Sequence, residues 1–193
     1  MERGGEISRH QKKFKQEKNK RHMKKETELS KFVSLTYPKM SIVVTCDKKP
    51  NAIAVTWHTP LSKIPPRYGI SVAPSRYSHK LIEDNKEFAI NFLGFEHWRK
   101  LHYCGTHSGM REDKIKNAGL DLADCKYIGT KMLREAYLSI ECKLYKTINL
   151  GDHDLFVGEI LAVHLDESKK RDPIYEIKKP KYTKIDSSVE VQP

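Results

Sequence analysis

The amino-acid sequence predicts a mainly β protein, a small Greek-key-like antiparallel β-barrel with short helices. Runs of β-forming residues outnumber helical patterns, and no internal repeat is present. The runs follow a definite order, in which a hairpin is followed by single strands with short helical inserts and then by a long closing hairpin. This order fits an antiparallel barrel better than a parallel α/β sheet.

The first predicted hairpin joins the runs SIVVTC and NAIAVTWH through the turn DKKPN. In the second run, Ile53, Val55 and Trp57 alternate with Ala54 and Thr56, which is typical of a strand with one small-residue face. The following segment, TPLSKIPP, contains three prolines and is predicted to be irregular.

A strand, a loop and a short helix are predicted next, because Pro74 ends the apolar run 69–72 and a helical pattern continues to Lys86. The loop carries four polar residues: Ser75, Arg76, Ser78 and His79. The first turn of a helix has unpaired N–H groups and a partial positive charge, so these residues predict a site for a phosphate or another anion. The alternative is that Ser78 only caps the helix while Arg76 lies in water.

The later part of the chain predicts a strand at EFAINFL, a helix at EHWRKLHYC and a turn into a further helix at SGMREDKI. Two long strands, beginning near Ala136 and at DLFVGEILAVHL, form the closing hairpin. The last strand is apolar on both faces, and one face therefore needs cover that a second copy of the chain can supply. The sequence thus predicts a homodimer.

Charge is concentrated at the start of the chain. Residues 1–31 contain eleven Lys or Arg and five Glu, a net charge of +6 out of the total of +11. We therefore predict a basic N-terminal extension at 1–31, a single domain at 32–167 and a charged C-terminal tail at 168–193. The extension could contact nucleic acid through phosphate neutralisation, but no aromatic platform accompanies its charges, so nucleic acid is not the expected partner.

The sequence lacks an apolar N-terminal signal and any apolar run of about 20 residues, so we expect a cytoplasmic protein without membrane association. The four cysteines form no CxxC pair and are expected to be reduced.

Several common kinds of site are not predicted. The sequence contains no GxGxxG, P-loop or HExxH motif. A nucleophile pair of Cys104 with His102 or His107 lacks an orienting third group. A metal site formed by these residues and His97 matches no zinc-finger spacing, so no metal is predicted.

Four stretches acquire a more specific meaning when they are taken together: NAIAVTWHTPLSKIPP, APSRYSHKLI with EFAINFL, SGMREDKI, and GDHDLFVGE. In this order and spacing the chain resembles the flavin reductase-like proteins, the FMN-binding split-barrel family that includes the flavoredoxins. The resemblance runs from about Tyr37 to Asp166. It implies an FMN-binding split barrel, with FAD as the alternative cofactor.

The resemblance also implies positions for the cofactor. The segment from Asn51 to Trp57 would lie along the ring and ribityl chain, where small residues allow close approach, and the PSRYSH loop would hold the phosphate. The family's frequent SGR is Ser108-Gly109-Met110 here, which departs from the pattern at Met110. The implied cofactor-binding residues are Asn51, Ala54, Thr56, Trp57, Ser75, Arg76, Ser78, His79 and Lys114.

The GDH turn supplies the implied catalytic residue, His153, which would lie beside the nicotinamide of a transiently bound NAD(P)H. The alternative is a turn histidine that bonds the backbone, and Trp57 could equally be a core residue. The implied activity is an NAD(P)H-dependent flavin oxidoreductase that passes hydride to flavin N5. The alternative activity is a flavoredoxin-type electron carrier that a protein donor reduces.

Overall fold

A computed structural model describes residues 26–47, 49–178 and 180–185. The predicted basic extension 1–31, and with it the nucleic-acid alternative, therefore lies for the most part outside the described residues. Within 26–36, a 3-10 turn at Leu29–Lys31 leads into a short helix, α1, at Phe32–Leu35.

The remaining described residues, from Tyr37 onward, form strands joined by three short helices and a 3-10 turn at Phe95–His97. The helices are α2 (Tyr77–Asn85), α3 (Trp98–Thr106) and α4 (Lys114–Asn117). The strands are β1 (Lys39–Met40), β2 (Ile42–Cys46), β3 (Asn51–Val55), β4 (His58–Lys63), β5 (Pro66–Val72), β6 (Glu87–Leu93), β7 (Leu122–Asp124), β8 (Lys131–Leu133), β9 (Ala136–Asn149), β10 (Asp154–Leu165), β11 (Tyr175–Lys178) and β12 (Lys181–Thr183).

Seven strands form the main sheet, in the order β3-β2-β6-β9-β10-β5-β4. Every neighbouring pair in this sheet is antiparallel. Although β3 and β4 lie at opposite edges, only Thr56 and Trp57 separate them in sequence. Val55 and His58 can therefore be no more than about 11 Å apart, so the sheet must curl until its two edges meet. This curled sheet is a split barrel, and the predicted mainly β fold class is confirmed.

The two faces of the sheet bury different sets of side chains. In β2, Val44 packs in the barrel interior with Phe88 and Phe156. The neighbouring Val43 points to the other face and belongs to a second cluster that contains Leu101 of α3. This alternation of period two places α3 and α4 against the outside of the barrel, where the second cluster holds them.

The structure corrects the prediction for TPLSKIPP, which is regular rather than irregular. Most of this segment is β4, an edge strand of the main sheet, and Pro66 is the first residue of β5. Proline is compatible with β4 because an edge strand has N–H groups that need no ladder partner, and with Pro66 because it is the first residue of its strand. Pro60 lies opposite Tyr68, next to a register shift between β4 and β5.

The closing hairpin is found where it was predicted, and β10 begins at Asp154 and ends at Leu165. The first half of β10 pairs with both β5 and β9, whereas the second half pairs only with β9. In that second half, Leu161, Val163 and Leu165 are 37%, 59% and 44% exposed. The apolar face that led to the homodimer prediction is therefore open to solvent in the single chain.

The segment assigned to the C-terminal tail contains two strands in its described part. Strand β11 pairs with β1, with Lys39 opposite Glu176, and β12 pairs with β11. Among the described residues the helices reach at most nine residues, so none has the length and apolar character that a membrane span requires.

Candidate functional site

Within the PSRYSH stretch, Pro74, Ser75 and Arg76 connect β5 to α2, whereas Ser78 and His79, which were predicted in the loop, already lie in the helix. Arg76 immediately precedes the helix and has an extended backbone, while Ser78 lies in the first helical turn and is only 3% exposed. The Ser78 hydroxyl does not cap the helix, because it accepts a hydrogen bond of 2.7 Å from the Asn51 side-chain amide. This bond ties the start of β3 to the start of α2.

A cleft of about 300 Å³ opens beside this loop, and we call it the anion cleft. Three cationic side chains line it: Arg76, Arg111 and Lys114. The hydroxyl groups of Ser75, Ser78 and Ser108 also line it. No carboxylate is found among the described residues of the lining. The cleft therefore has the donors and the charge that a phosphate group requires.

Lys114 is the most buried of the three cations, with an exposed fraction of 4%. It is the first residue of α4, which Asp113 caps by accepting the Lys116 N–H at 3.0 Å. Its ammonium donates a hydrogen bond of 2.6 Å to the Cys104 carbonyl oxygen. Burial lowers the pKa of the Lys114 ammonium.

Asn51 links two segments that line the anion cleft, since it contacts both Ser78 and Gly109. It is 5% exposed, and its side-chain oxygen is buried without a hydrogen-bond partner among the described residues. Gly109 lies directly against this oxygen, and a Cβ atom added there would overlap it. The turn that contains Gly109 is closed by a 3.0 Å bond from the Arg111 N–H to the Ser108 carbonyl. Glycine is therefore required where this turn meets Asn51.

A second cleft, of about 450 Å³, lies at the seam of the barrel. We call it the aromatic cleft, because Trp57 lines it together with Thr56 and Leu155. The His153 ring packs on Trp57, with 4.6 Å between ring centroids and a tilt of 36°. Trp57 is half-buried and thus forms the wall of a cleft instead of the centre of the core.

The described part of the chain shows no hydrogen bond between the His153 ring and the backbone. The ring nitrogen Nδ1 lies 3.1 Å from the Asp152 carboxylate, in an orientation that makes no hydrogen bond. The His153 backbone carbonyl instead closes the turn by accepting the Leu150 N–H at 3.0 Å. The ring is therefore held mainly by its contact with Trp57.

His79 is placed differently from the other predicted phosphate ligands, because its ring does not line the anion cleft. Its Nε2 lies 2.7 Å from the Asp154 carboxylate and its Nδ1 lies 3.6 Å from Glu83. Asp154 also accepts a bond of 2.8 Å from the Asn149 amide. The hydrogen bond from His79 is the main reason that the pKa of Asp154 is lowered. His79 thus joins α2 to the start of β10.

These three side chains, His79, Glu83 and Asp154, also form the single group of metal-type ligands found within the described residues, with ligand atoms within 4.8 Å of one another. The direct bond between His79 and Asp154 already satisfies the two most buried members. The set of His97, His102, Cys104 and His107 considered from the sequence does not form such a group.

Residues 107, 108 and 111 also line the anion cleft, although none of them was predicted to bind the cofactor. Arg111 directly follows Met110, the position where the motif led us to expect an arginine. Met110 is 72% exposed, and the turn from Ser108 carries the next side chain back to the cleft. An arginine one residue later in a glycine turn is the signal that could have indicated this site.

The seven-stranded antiparallel sheet curled into a split barrel, with a cationic cleft at the start of α2 and an aromatic cleft at its seam, defines a protein of the flavin reductase-like class. Residues 34–184 match the family model described as flavin reductase like domain. The chain therefore belongs to the flavin reductase-like family, as the resemblance of its motifs predicted.

Known relatives agree with this assignment. An uncharacterized protein of Archaeoglobus fulgidus is 34% identical over 149 residues, which cover 76% of this chain and 84% of the relative. An FMN-binding protein from Thermus thermophilus, solved with bound 1-cyclohex-2-enone, is 29% identical with a TM-score of 0.74, and the match covers 88% and 98% of the two chains. Flavoredoxin of Desulfovibrio vulgaris (Miyazaki F) is 25% identical with a TM-score of 0.75, and the match covers 88% and 97%.

Proposed function

We propose that the protein is an FMN-binding oxidoreductase that passes electrons from NAD(P)H to flavin or to another acceptor. The observation that carries the proposal is the pairing of two clefts, one lined by cations and serines and the other by the indole of Trp57, on which the His153 ring packs. Ala54 lines the first cleft and Thr56 the second, so both open along the same short stretch of chain. The family and the FMN-binding relative support the same cofactor.

The residues of this chain fit a flavin mononucleotide. Its phosphate requires charged donors, which Arg76 and Lys114 offer, and the cleft lining includes no described carboxylate that would repel it. Its ring requires a close approach to the backbone, which Ala54 permits. The clefts of about 300 and 450 Å³ lie in the size range of small-molecule sites. FAD is the alternative cofactor, and titration with both nucleotides distinguishes them.

A bound flavin supplies the redox chemistry, because it accepts a hydride from a nicotinamide. The protein supplies binding, orientation and protection from water. Arg76 and the hydroxyls beside it hold the phosphate end. At the other end of the site, Trp57 and His153 would provide an aromatic wall beside which a nicotinamide would bind. No general acid of unusual pKa is needed for this step.

Anaerobic mixing with NADH and NADPH tests the enzymatic form of the proposal. We expect the absorbance of bound flavin to bleach rapidly with at least one of the two nucleotides. Flavin that stays oxidised with both nucleotides, but is reduced by a low-potential protein donor, would contradict nicotinamide use. That result would favour the second candidate, a flavoredoxin-type carrier, which the similarity to the Desulfovibrio flavoredoxin supports.

Two further parts of the proposal concern the oligomeric state and the location of the protein. We propose a homodimer, supported by the exposed apolar residues Leu161, Val163 and Leu165 on one face of β10. Sedimentation or light scattering measures the mass in solution, and a monomer at micromolar concentration would contradict this part. We also propose a cytoplasmic location, in line with its four free cysteines.

A further inference from the structure

The anion cleft contains an arginine that was not among the predicted cofactor-binding residues. The sequence motifs assigned Arg76 and Lys114 to the cofactor, while the structure adds the guanidinium of Arg111 to the same lining. Arg111 follows the turn at Ser108-Gly109 and was not part of the proposed phosphate site. The role inferred for it rests on the proposed function.

The three cationic side chains differ in burial and in whether they already make a hydrogen bond within the protein. Lys114 is buried, its ammonium is bonded to the Cys104 carbonyl, and burial lowers its pKa. Arg76 and Arg111 are exposed, and within the described part of the chain their guanidinium groups make no hydrogen bond or ion pair. A phosphate monoester carries up to two negative charges near neutral pH. Two free guanidinium groups match that charge.

The backbone around Arg111 is well fixed for a binding role. The 3.0 Å bond from its N–H to the Ser108 carbonyl closes the turn, and Gly109 packs against the Asn51 oxygen. Asn51 in turn donates a hydrogen bond to Ser78, which also lines the anion cleft. The turn and the PSRYSH loop are thus linked through one buried amide, and their two arginines face a common cleft.

We propose that Arg111 is a phosphate-binding residue that lines the anion cleft together with Arg76 and makes the protein select phosphorylated flavin over riboflavin. The planar guanidinium group forms paired hydrogen bonds with phosphate oxygens, which lysine cannot reproduce. Riboflavin has the same ring and ribityl chain but no phosphate. The contribution of Arg111 should therefore be present for FMN and absent for riboflavin.

The test is an equilibrium titration of the full chain with FMN and with riboflavin, followed by flavin fluorescence. For Arg111→Gln we expect the Kd for FMN to rise by about 10- to 100-fold, the scale of a hydrogen bond to a charged group, with the Kd for riboflavin changed less than about twofold. Arg111→Lys should recover only part of the loss. Arg99→Gln is the matched control, because Arg99 is an exposed arginine that stacks on Trp98 and does not line the cleft.

Two results would overturn the proposal for Arg111. One is an unchanged Kd for FMN in Arg111→Gln, and the other is an equal loss of FMN and riboflavin affinity, which would indicate a general disturbance of the site. Both are distinct from failure of the proposed function, in which the unaltered protein itself binds no FMN. Thermal unfolding of each variant checks that the turn is intact.

Discussion

The anion cleft and the aromatic cleft are built in contrasting ways. Side chains of the anion cleft are fixed by buried hydrogen bonds, from Asn51 to Ser78 and from Lys114 to the Cys104 carbonyl. The aromatic cleft depends on a packing contact between Trp57 and His153 at the seam of the barrel. A rigid anion cleft is suited to hold a cofactor, whereas a less constrained aromatic cleft is suited to admit and release a second reactant. Substitutions in the anion cleft should therefore alter the affinity for FMN, and substitutions in the aromatic cleft should alter the rate of flavin reduction.

The largest effect is expected in the anion cleft. Arg76→Ala should weaken FMN binding by about 1.5–3 kcal/mol, because a charged hydrogen bond to the phosphate is lost. Riboflavin affinity should be unchanged, as measured by fluorescence titration. Lys80→Ala is the matched control, since Lys80 lies in the helix that Arg76 precedes but pairs with Asp84 outside the cleft. An unchanged Kd for FMN would remove Arg76 from the site.

Substitution of Gly109, which lies against Asn51, tests whether the anion cleft is as rigid as the structure indicates. Gly109→Ala should lower the free energy of unfolding by about 1–3 kcal/mol, the usual cost of overpacking, because its new methyl group overlaps the Asn51 oxygen. Chemical denaturation measures this change. In an Asn51→Ala background the same substitution should cost much less, and equal costs in both backgrounds would show that the overlap is not the cause.

In the aromatic cleft, the effect should appear in the rate of reduction. His153→Ala should slow flavin reduction by NADH or NADPH by up to about tenfold, which corresponds to an aromatic contact of about 0.5–1.5 kcal/mol. Its Kd for FMN should stay the same. Stopped-flow absorbance provides the rate, with Glu159→Ala as the control, because Glu159 is exposed on β10 and lines neither cleft. A change in FMN affinity without a change in the rate of reduction would indicate that the aromatic cleft binds the cofactor and takes no part in its reduction.

The smallest effect is a pH dependence at the bond between His79 and Asp154. The pKa of Asp154 in the folded protein is lowered below its ordinary value of 3.8, mainly by the hydrogen bond from His79. This contribution to stability is present above pH 3.8 and is lost as the pH falls below it toward the folded pKa. The free energy of unfolding of Asp154→Asn should therefore decrease less steeply, as the pH is lowered, than that of the unaltered protein. An equal pH dependence of the two proteins would contradict the lowered pKa of Asp154.

The fold could be predicted well from local patterns. The strands at Glu87–Leu93 and Asp154–Leu165 have the predicted bounds, because their apolar residues and flanking turn signals are unambiguous. The segment TPLSKIPP was misjudged, because Pro60 is acceptable inside a strand only at the edge of a sheet, and edge position depends on the order of strands in the sheet. Sheet order is a property of tertiary structure that no local pattern contains.

The candidate site could be predicted in part. Ser75, Arg76 and Ser78 follow from the helix start, and the structure brings them together with Lys114 in one cleft. The ring of His79 lies elsewhere because a carboxylate 75 positions later, Asp154, engages it, and such a distant pairing leaves no mark on the loop itself. Arg111 was missed because the turn geometry, and not the motif position, decides which side chain reaches the cleft. The roles of all these residues in binding stay predictions.

The most direct measurement of the central claim is a titration of the purified protein with FMN and with riboflavin under the same conditions. We expect saturable binding of FMN at micromolar concentration or below. Binding of riboflavin should be clearly weaker, because the anion cleft contributes to the affinity only when a phosphate is present. A protein that takes up no FMN at these concentrations, or that binds both flavins equally, would contradict the central claim.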